Sequence, residues 1–223
     1  KYTYTLFPLS LEEMYADNQL DLIKGLETLL VFGNYPDIVA RTSFQEKQEA
    51  LQELAVSYLY KDVLDFQGIK NSDVLNHLLK ALAFQLGSEV SLNELSNILG
   101  IDKKTVERYI SLLEKSFVIF RVSPYTKNKR REISRLKKIY FYDLGVRNAL
   151  IQNFNFLYNR TDVGGLWENF MMIERMKYRS YHHIYANQYF WRTYDGSEVD
   201  LVEEREGKLF GYEFKWGEKV KVR

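Results

Sequence analysis

From residue 10 to about residue 70 the apolar positions recur at helical spacing. Leu51, Leu54, Ala55, Tyr58, Leu59 and Val63 share one face of a helix predicted over 44–66. Ser10 with Glu13, and Ser43 with Glu46, each fit a capping box, where a hydroxyl and an acid satisfy the first free amides of a helix. Between them, Gly33-Asn34-Tyr35-Pro36-Asp37 predicts a turn with a helix starting at Pro36. Ahead of these helices, residues 2–6 alternate like a strand.

Over 72–142 the pattern predicts three helices and a hairpin. The first helix covers 73–85. The second is capped by Ser91 and Glu94 and ends at Gly100. The third covers 103–116, capped by Asp102, with Val106, Ile110, Leu113 and Phe117 facing inward. Strands are predicted at 118–122 and 139–142, on either side of a polar loop. That is the order of a helix-turn-helix followed by a β wing.

After residue 143 the character changes. Asp143 predicts a cap for a short helix, and Gly164-Gly165 precede an apolar helix over 166–178. Strands are predicted at 188–194, 197–204 and 209–216, with Asp195-Gly196 as a hairpin turn and Arg205-Glu206-Gly207-Lys208 as a second turn. The expected fold class is α+β in three segments: a helical part over 1–70, a winged helix over 71–142, and an α/β domain over 143–223. Both chain ends read as cut, so a fragment of a longer protein is expected.

Composition narrows the chemistry. Hydrophobic residues make up 46% of the 223, enough for a packed core. The chain has no cysteine, which removes disulfides, zinc-thiolate sites and cysteine nucleophiles together and fits a cytoplasmic location. No apolar run approaches the ~20 residues of a membrane span, so no membrane partner is expected. His182-His183, read on a strand, would point to opposite faces, so a zinc site is not expected.

Net charge is only +1, so any case for nucleic acid rests on local charge. The loop between the hairpin strands supplies it. Lys127, Lys129, Arg130, Arg131, Arg135, Lys137 and Lys138 stand there against Glu132 alone. Such a wing would lie along phosphates and release counterions. Lys103, Lys104 and Arg108 on the third helix are further candidates for DNA contact. The reading that competes is a solvated loop and a winged helix that docks protein.

The most specific chemical signal lies near the C-terminus. Glu198-Val199-Asp200 is followed, after a short turn, by Glu213-Phe214-Lys215. On a strand Glu213 and Lys215 would share a face, ~7 Å apart, with Phe210, Tyr212, Phe214 and Trp216 behind them. Asp200 and Glu213 are candidate carboxylate ligands for Mg²⁺, a hard cation that prefers oxygen. Lys215 would orient or deprotonate a water, or stabilise charge on a phosphate. Glu168, an acid in the apolar stretch Leu166-Trp167-Glu168-Asn169-Phe170, is the third candidate. Together these are the parts of metal-assisted phosphodiester hydrolysis. A same-strand ion pair on a solvated face is the plain alternative.

The chain resembles bacterial and archaeal AAA+-type ATPases whose C-terminal region joins a winged helix to a restriction-endonuclease-like domain. The matching marks, in order, start with residues 6–13 (Leu-Phe-Pro-Leu-Ser-Leu-Glu-Glu), Gly33-Asn34-Tyr35-Pro36-Asp37, Tyr58-Leu59-Tyr60-Lys61-Asp62 and Ser91-Leu92-Asn93-Glu94-Leu95. They continue with residues 138–145 (Lys-Ile-Tyr-Phe-Tyr-Asp-Leu-Gly), Gly165-Leu166-Trp167-Glu168-Asn169, and the two acidic motifs. No Gly-x-x-x-x-Gly-Lys-Ser/Thr occurs here, so the resemblance implies a P-loop part, binding ATP, in the full-length protein only. It implies that residues 1–70 are the last strand and helical lid of that ATPase, and that 143–223 is a PD-(D/E)xK nuclease-like domain. Carried over by position, Glu168, Asp200, Glu213 and Lys215 match that superfamily's catalytic residues. Such a core ordinarily continues after Glu-x-Lys, so a partial module is expected. The implied function is DNA binding with Mg²⁺-dependent hydrolysis. Its alternatives are an inactive nuclease-like module that docks partner proteins or regulates the ATPase, and DNA binding without cleavage.

Overall fold

The computed structural model describes residues 5–15, 19–57, 72–126, 136–193 and 195–217. Among the described residues it holds nine α-helices and six strands in a mixed α+β arrangement. The helices are α1 Leu11–Tyr15, α2 Gln19–Phe32, α3 Pro36–Val39, α4 Phe44–Ser57, α5 Ser72–Phe84, α6 Leu92–Leu99, α7 Lys103–Lys115, α8 Leu144–Leu150 and α9 Val163–Tyr181. The strands are β1 Glu89–Val90, β2 Ile119–Pro124, β3 Lys137–Phe141, β4 Asn187–Arg192, β5 Glu198–Arg205 and β6 Lys208–Tyr212. No helix among the described residues is long and apolar enough to cross a membrane.

The predicted caps form. Ser10 and Glu13 bond reciprocally at 2.8 and 3.2 Å, and Ser43 with Glu46 at 3.3 and 3.1 Å. Asp102 accepts from the Thr105 amide at 2.9 Å at the start of α7. Gly100 ends α6 in the left-handed conformation that carries no penalty for glycine.

Helix α8 is the hub of the helical core. All its residues are buried, and it packs against α2 and α4. Its side chains satisfy carbonyls that other helix ends leave free. Asn148 donates to Leu30 and Val31 at 3.0 and 2.8 Å, and Arg147 donates twice to Ala83 at 2.9 and 2.6 Å. Gly145 permits this closeness, since a Cβ there would sit 2.1 Å from the Phe32 carbonyl oxygen.

Six strands form one sheet in the order β1-β3-β2-β4-β5-β6. The hairpin β2–β3 is antiparallel, and β1 adds to its edge. Strand β4 then runs parallel to β2 through Ser123↔Tyr189 and Pro124↔Phe190. This joint makes the hairpin continuous with the C-terminal meander β4–β5–β6. Helix α9 serves two cores. Leu166 and Phe170 enter the helical one, while Met172 and Ile173 pack with Phe120, Val122, Tyr140, Phe190 and Leu201 under the sheet.

Several expectations shift. β1 is an addition to the predicted strands; its two residues carry too little pattern to be read. Phe117, expected inside, is 50% exposed at a left-handed position. It packs edge-on against Tyr142 instead. α9 starts at Val163 and so contains Gly164-Gly165, and it runs to Tyr181. Consequently His182 and His183 end a helix rather than lie on a strand, and His182 meets Glu12 at 2.9 Å. β6 ends at Tyr212, before Glu213, because the chain beyond is held by a side chain rather than by the ladder. Residues 58–66 of the predicted long helix, most of the predicted first strand, and the loop over 127–135 lie outside the described residues.

Candidate active site

The site forms where α9 crosses the sheet. Asn169, fully buried, grips the last residue of β3 by accepting from the Phe141 amide at 2.8 Å and donating to its carbonyl at 2.9 Å. That clamp fixes its neighbour Glu168 over β3. Lys138 and Tyr140, two residues apart on β3, point to one face and both donate to Glu168, at 2.8 and 2.6 Å. Lys138 is 3% exposed and also pairs with Glu198 at the start of β5.

Two residues along β5 from Glu198, on the same face, is Asp200, 5% exposed. Carboxylate oxygens of Glu168, Glu198 and Asp200 all lie within 4.8 Å of one another. Among the described residues, this is the cluster of acids spaced to hold a metal ion. Carboxylate oxygens gathered this closely could hold a hard divalent cation. Two of the three acids, Glu168 and Glu198, pair with the buried ammonium of Lys138, and Arg192 reaches Glu198 at 3.8 Å from a half-exposed position. At the edge, a side chain at Gly87 would come within 3.1 Å of Glu168 Oε2.

Asp200 Oδ2 accepts from the Phe214 amide at 2.6 Å. Lys215 Nζ stands 3.9 Å from the same oxygen and 2.7 Å from Glu213. The electrostatics follow. Burial pushes the Asp200 carboxyl above its usual value, the Phe214 amide and Lys215 pull it back, and Glu168 and Glu213 push it further up. Burial works against the Lys138 ammonium, yet Glu168 and Glu198 outweigh it and hold its pKa above that of ordinary lysine. Burial and Glu168 lift the Tyr140 phenol well above its normal range, so it stays a donor. The Glu213 contact and the nearby acids keep Lys215 charged, against burial.

Of the expected site residues, Glu168, Asp200 and Lys215 converge. Glu213 lies outside the three-acid cluster, half-exposed, and is engaged by Lys215. The third acid of that cluster is Glu198. Sequence reasoning missed Glu198, Lys138 and Tyr140 as site residues. The signal was present: Glu198 precedes Asp200 by two, the spacing that shares a strand face, and so do Lys138 and Tyr140. In the sequence, Lys138 reads as one more charge of the basic loop.

Lys103, Lys104 and Arg108 are exposed on α7. The acids that dilute this helix are occupied, since Arg121 binds Glu107 at 2.5 Å and Glu114 at 2.6 Å. Lys127, Lys129, Arg130 and Arg131 fall outside the described residues.

Comparison with known proteins gives context. Residues 163–223 match the model of a domain of unknown function, DUF4143, which occurs in AAA-ATPase-associated proteins. An uncharacterized protein of Mycobacterium tuberculosis is 29% identical over 136 residues, 60% of this chain and 30% of its own length. One from Haemophilus influenzae is 24% identical over 156 residues, 66% of this chain and 39% of its own. One from Methanocaldococcus jannaschii is 24% identical over 159 residues, 69% and 34%. The chain thus spans about a third of the length of these relatives. No solved structure matches it. Residues 23–156, more than half of the 223, match the model of another domain of unknown function, DUF8612, and the chain belongs to that family.

Proposed function

We propose that this chain is the C-terminal part of an AAA+-type ATP-binding protein that holds DNA and hydrolyses phosphodiester bonds with Mg²⁺. One observation carries the reading: Glu168 from α9 and Glu198 and Asp200 from β5 converge within 4.8 Å, with Lys215 3.9 Å from Asp200. The succession α9, β4, β5, β6 and then Glu-x-Lys agrees with a PD-(D/E)xK-like domain. The succession α5, β1, α6, α7, β2, β3 agrees with a winged helix. Glu168, Glu198 and Asp200 would hold the cation, which supplies Lewis-acid polarisation and a more acidic water. Lys215, exposed and charged beside Asp200, orients that water or bonds a phosphate oxygen. Tyr140 fixes the Glu168 carboxylate, and Lys138 neutralises it in the metal-free state. The exposed cations of α7 position duplex by phosphate contact. Full-length protein incubated with duplex, branched and single-stranded substrates tests the reading; cleavage of at least one, dependent on Mg²⁺, is expected. No cleavage of any would discard it.

A second reading is favoured by Lys138 itself. An ammonium between Glu168 and Glu198 already does part of a metal's electrostatic work. In that reading the module is inactive and docks a partner protein or regulates the ATPase. The exposed aromatic run from Phe44 through Phe156 to Tyr158 gives it a surface.

A further inference from the structure

The Lys138 ammonium has an unusual origin for a site group. Glu168, Glu198, Asp200 and Lys215 all come from the region matched by the second family model, while Lys138 and Tyr140 come from the region matched by the first. The parallel joint of β2 to β4 and the Asn169 clamp on Phe141 bring the two together. Lys138 is almost wholly buried, bonded to two of the three acids, and set over the Phe190 ring at 5.4 Å. An ammonium at that position is where a cation bound to Glu168 and Glu198 would also sit, and two positive charges so close repel.

We propose that Lys138 is a resident cation that competes with the divalent metal, so the metal loads fully only when Lys138 turns away onto a phosphate of bound nucleic acid. The inference rests on the metal reading above and extends it. A site of this kind stays compact and neutralised at rest, and it couples metal binding to substrate. The coupling is reciprocal: metal also favours the state in which Lys138 can reach a phosphate. Tyr140 keeps its bond to Glu168 in both states and preserves the acid's position.

The test is titration of the 223-residue protein with Mg²⁺ and with Mn²⁺, followed by calorimetry, without nucleic acid. Lys138→Met is expected to bind either metal at least about tenfold more tightly than the unmodified protein, within the range of ordinary coupling between sites. Lys138→Arg, which keeps the charge, should stay as weak as the unmodified protein. Equal affinities in all three would overturn the competition while leaving the metal reading intact. No binding by any folded variant would overturn both. Should Lys138→Met fail to fold, the unmodified protein still decides. Labelling of Lys138 by an amine-acetylating reagent must rise when Mn²⁺ is added, and an unchanged rate would overturn the proposal.

Discussion

The Asp200 carboxylate accepts the Phe214 amide at 2.6 Å, just after β6 has ended. In the β5–β6 register Leu201 pairs with Tyr212, so Phe214 has left the ladder. A side chain therefore holds the Glu-x-Lys segment where a backbone bond would otherwise do so. The same oxygen faces Lys215 at 3.9 Å. Asp200 both offers a ligand and positions the lysine beside it. Lys215→Met is accordingly expected to lower nicking at least about 100-fold, a typical loss for a positioned proton-transfer or charge-stabilising group, with the cation affinity little changed. Parallel measurement of cleavage rate and calorimetric metal affinity checks it.

Asp200 is held at a cost to the fold. Burial raises its folded-state pKa above the unfolded value, so the folded state takes up the proton more readily. The charged form thus lowers stability at neutral pH, and stability rises as pH falls through the folded pKa toward the unfolded one. Asp200→Asn keeps an acceptor for Phe214 without the charge. It is expected to melt at a higher temperature without metal, because the buried charge is gone. Added Mg²⁺ should raise the melting temperature of the unmodified protein and leave the variant unmoved. Scanning calorimetry reads both.

Asp162 behaves in the opposite sense. Burial alone would raise its pKa, but bonds from Arg160 and Arg147 overcome that and hold it at about 2, below the unfolded 3.8. Its contribution is therefore complete above the unfolded pKa and is lost as pH falls through the folded one, between about pH 4 and pH 2. Allowing for solvent screening of this partly exposed acid, about 1 kcal/mol is at stake. Denaturant unfolding of Asp162→Asn should show that deficit at pH 5 and a shrinking gap toward pH 2.

Lys103, Lys104 and Arg108 face solvent, with Glu107 and Glu114 bound to Arg121. Replacing all three by alanine should flatten the plot of log affinity for duplex DNA against log salt, by ~0.9 for each phosphate no longer neutralised. An unchanged slope would remove α7 from the interface.

The helical half was readable because its signals are local. Ser10 with Glu13, Ser43 with Glu46 and Asp102 act within four residues, and a cap has the same chemistry in any tertiary setting. Glu168 was readable for a different reason: an acid interrupts an apolar stretch. Asp200 and Lys215 were readable from the Glu-Val-Asp and Glu-Phe-Lys motifs joined by a short turn. Glu213 reads as a strand residue, but the strand is shorter than predicted. β6 stops at Tyr212 because Asp200, far from it in sequence, captures Phe214. Lys138 is hidden in a basic run. Nothing local separates a buried lysine from solvated ones; only the crossing of α9 over β3 does.

The most direct measurement is nicking of supercoiled DNA by the protein and by Asp200→Asn, each with Mg²⁺ and with chelator. The account predicts nicking by the unmodified protein with Mg²⁺, none with chelator, and a loss of at least about 1,000-fold in the variant, since a ligand to the reacting cation is gone. Equal nicking by both proteins, or nicking that persists in chelator, would contradict it.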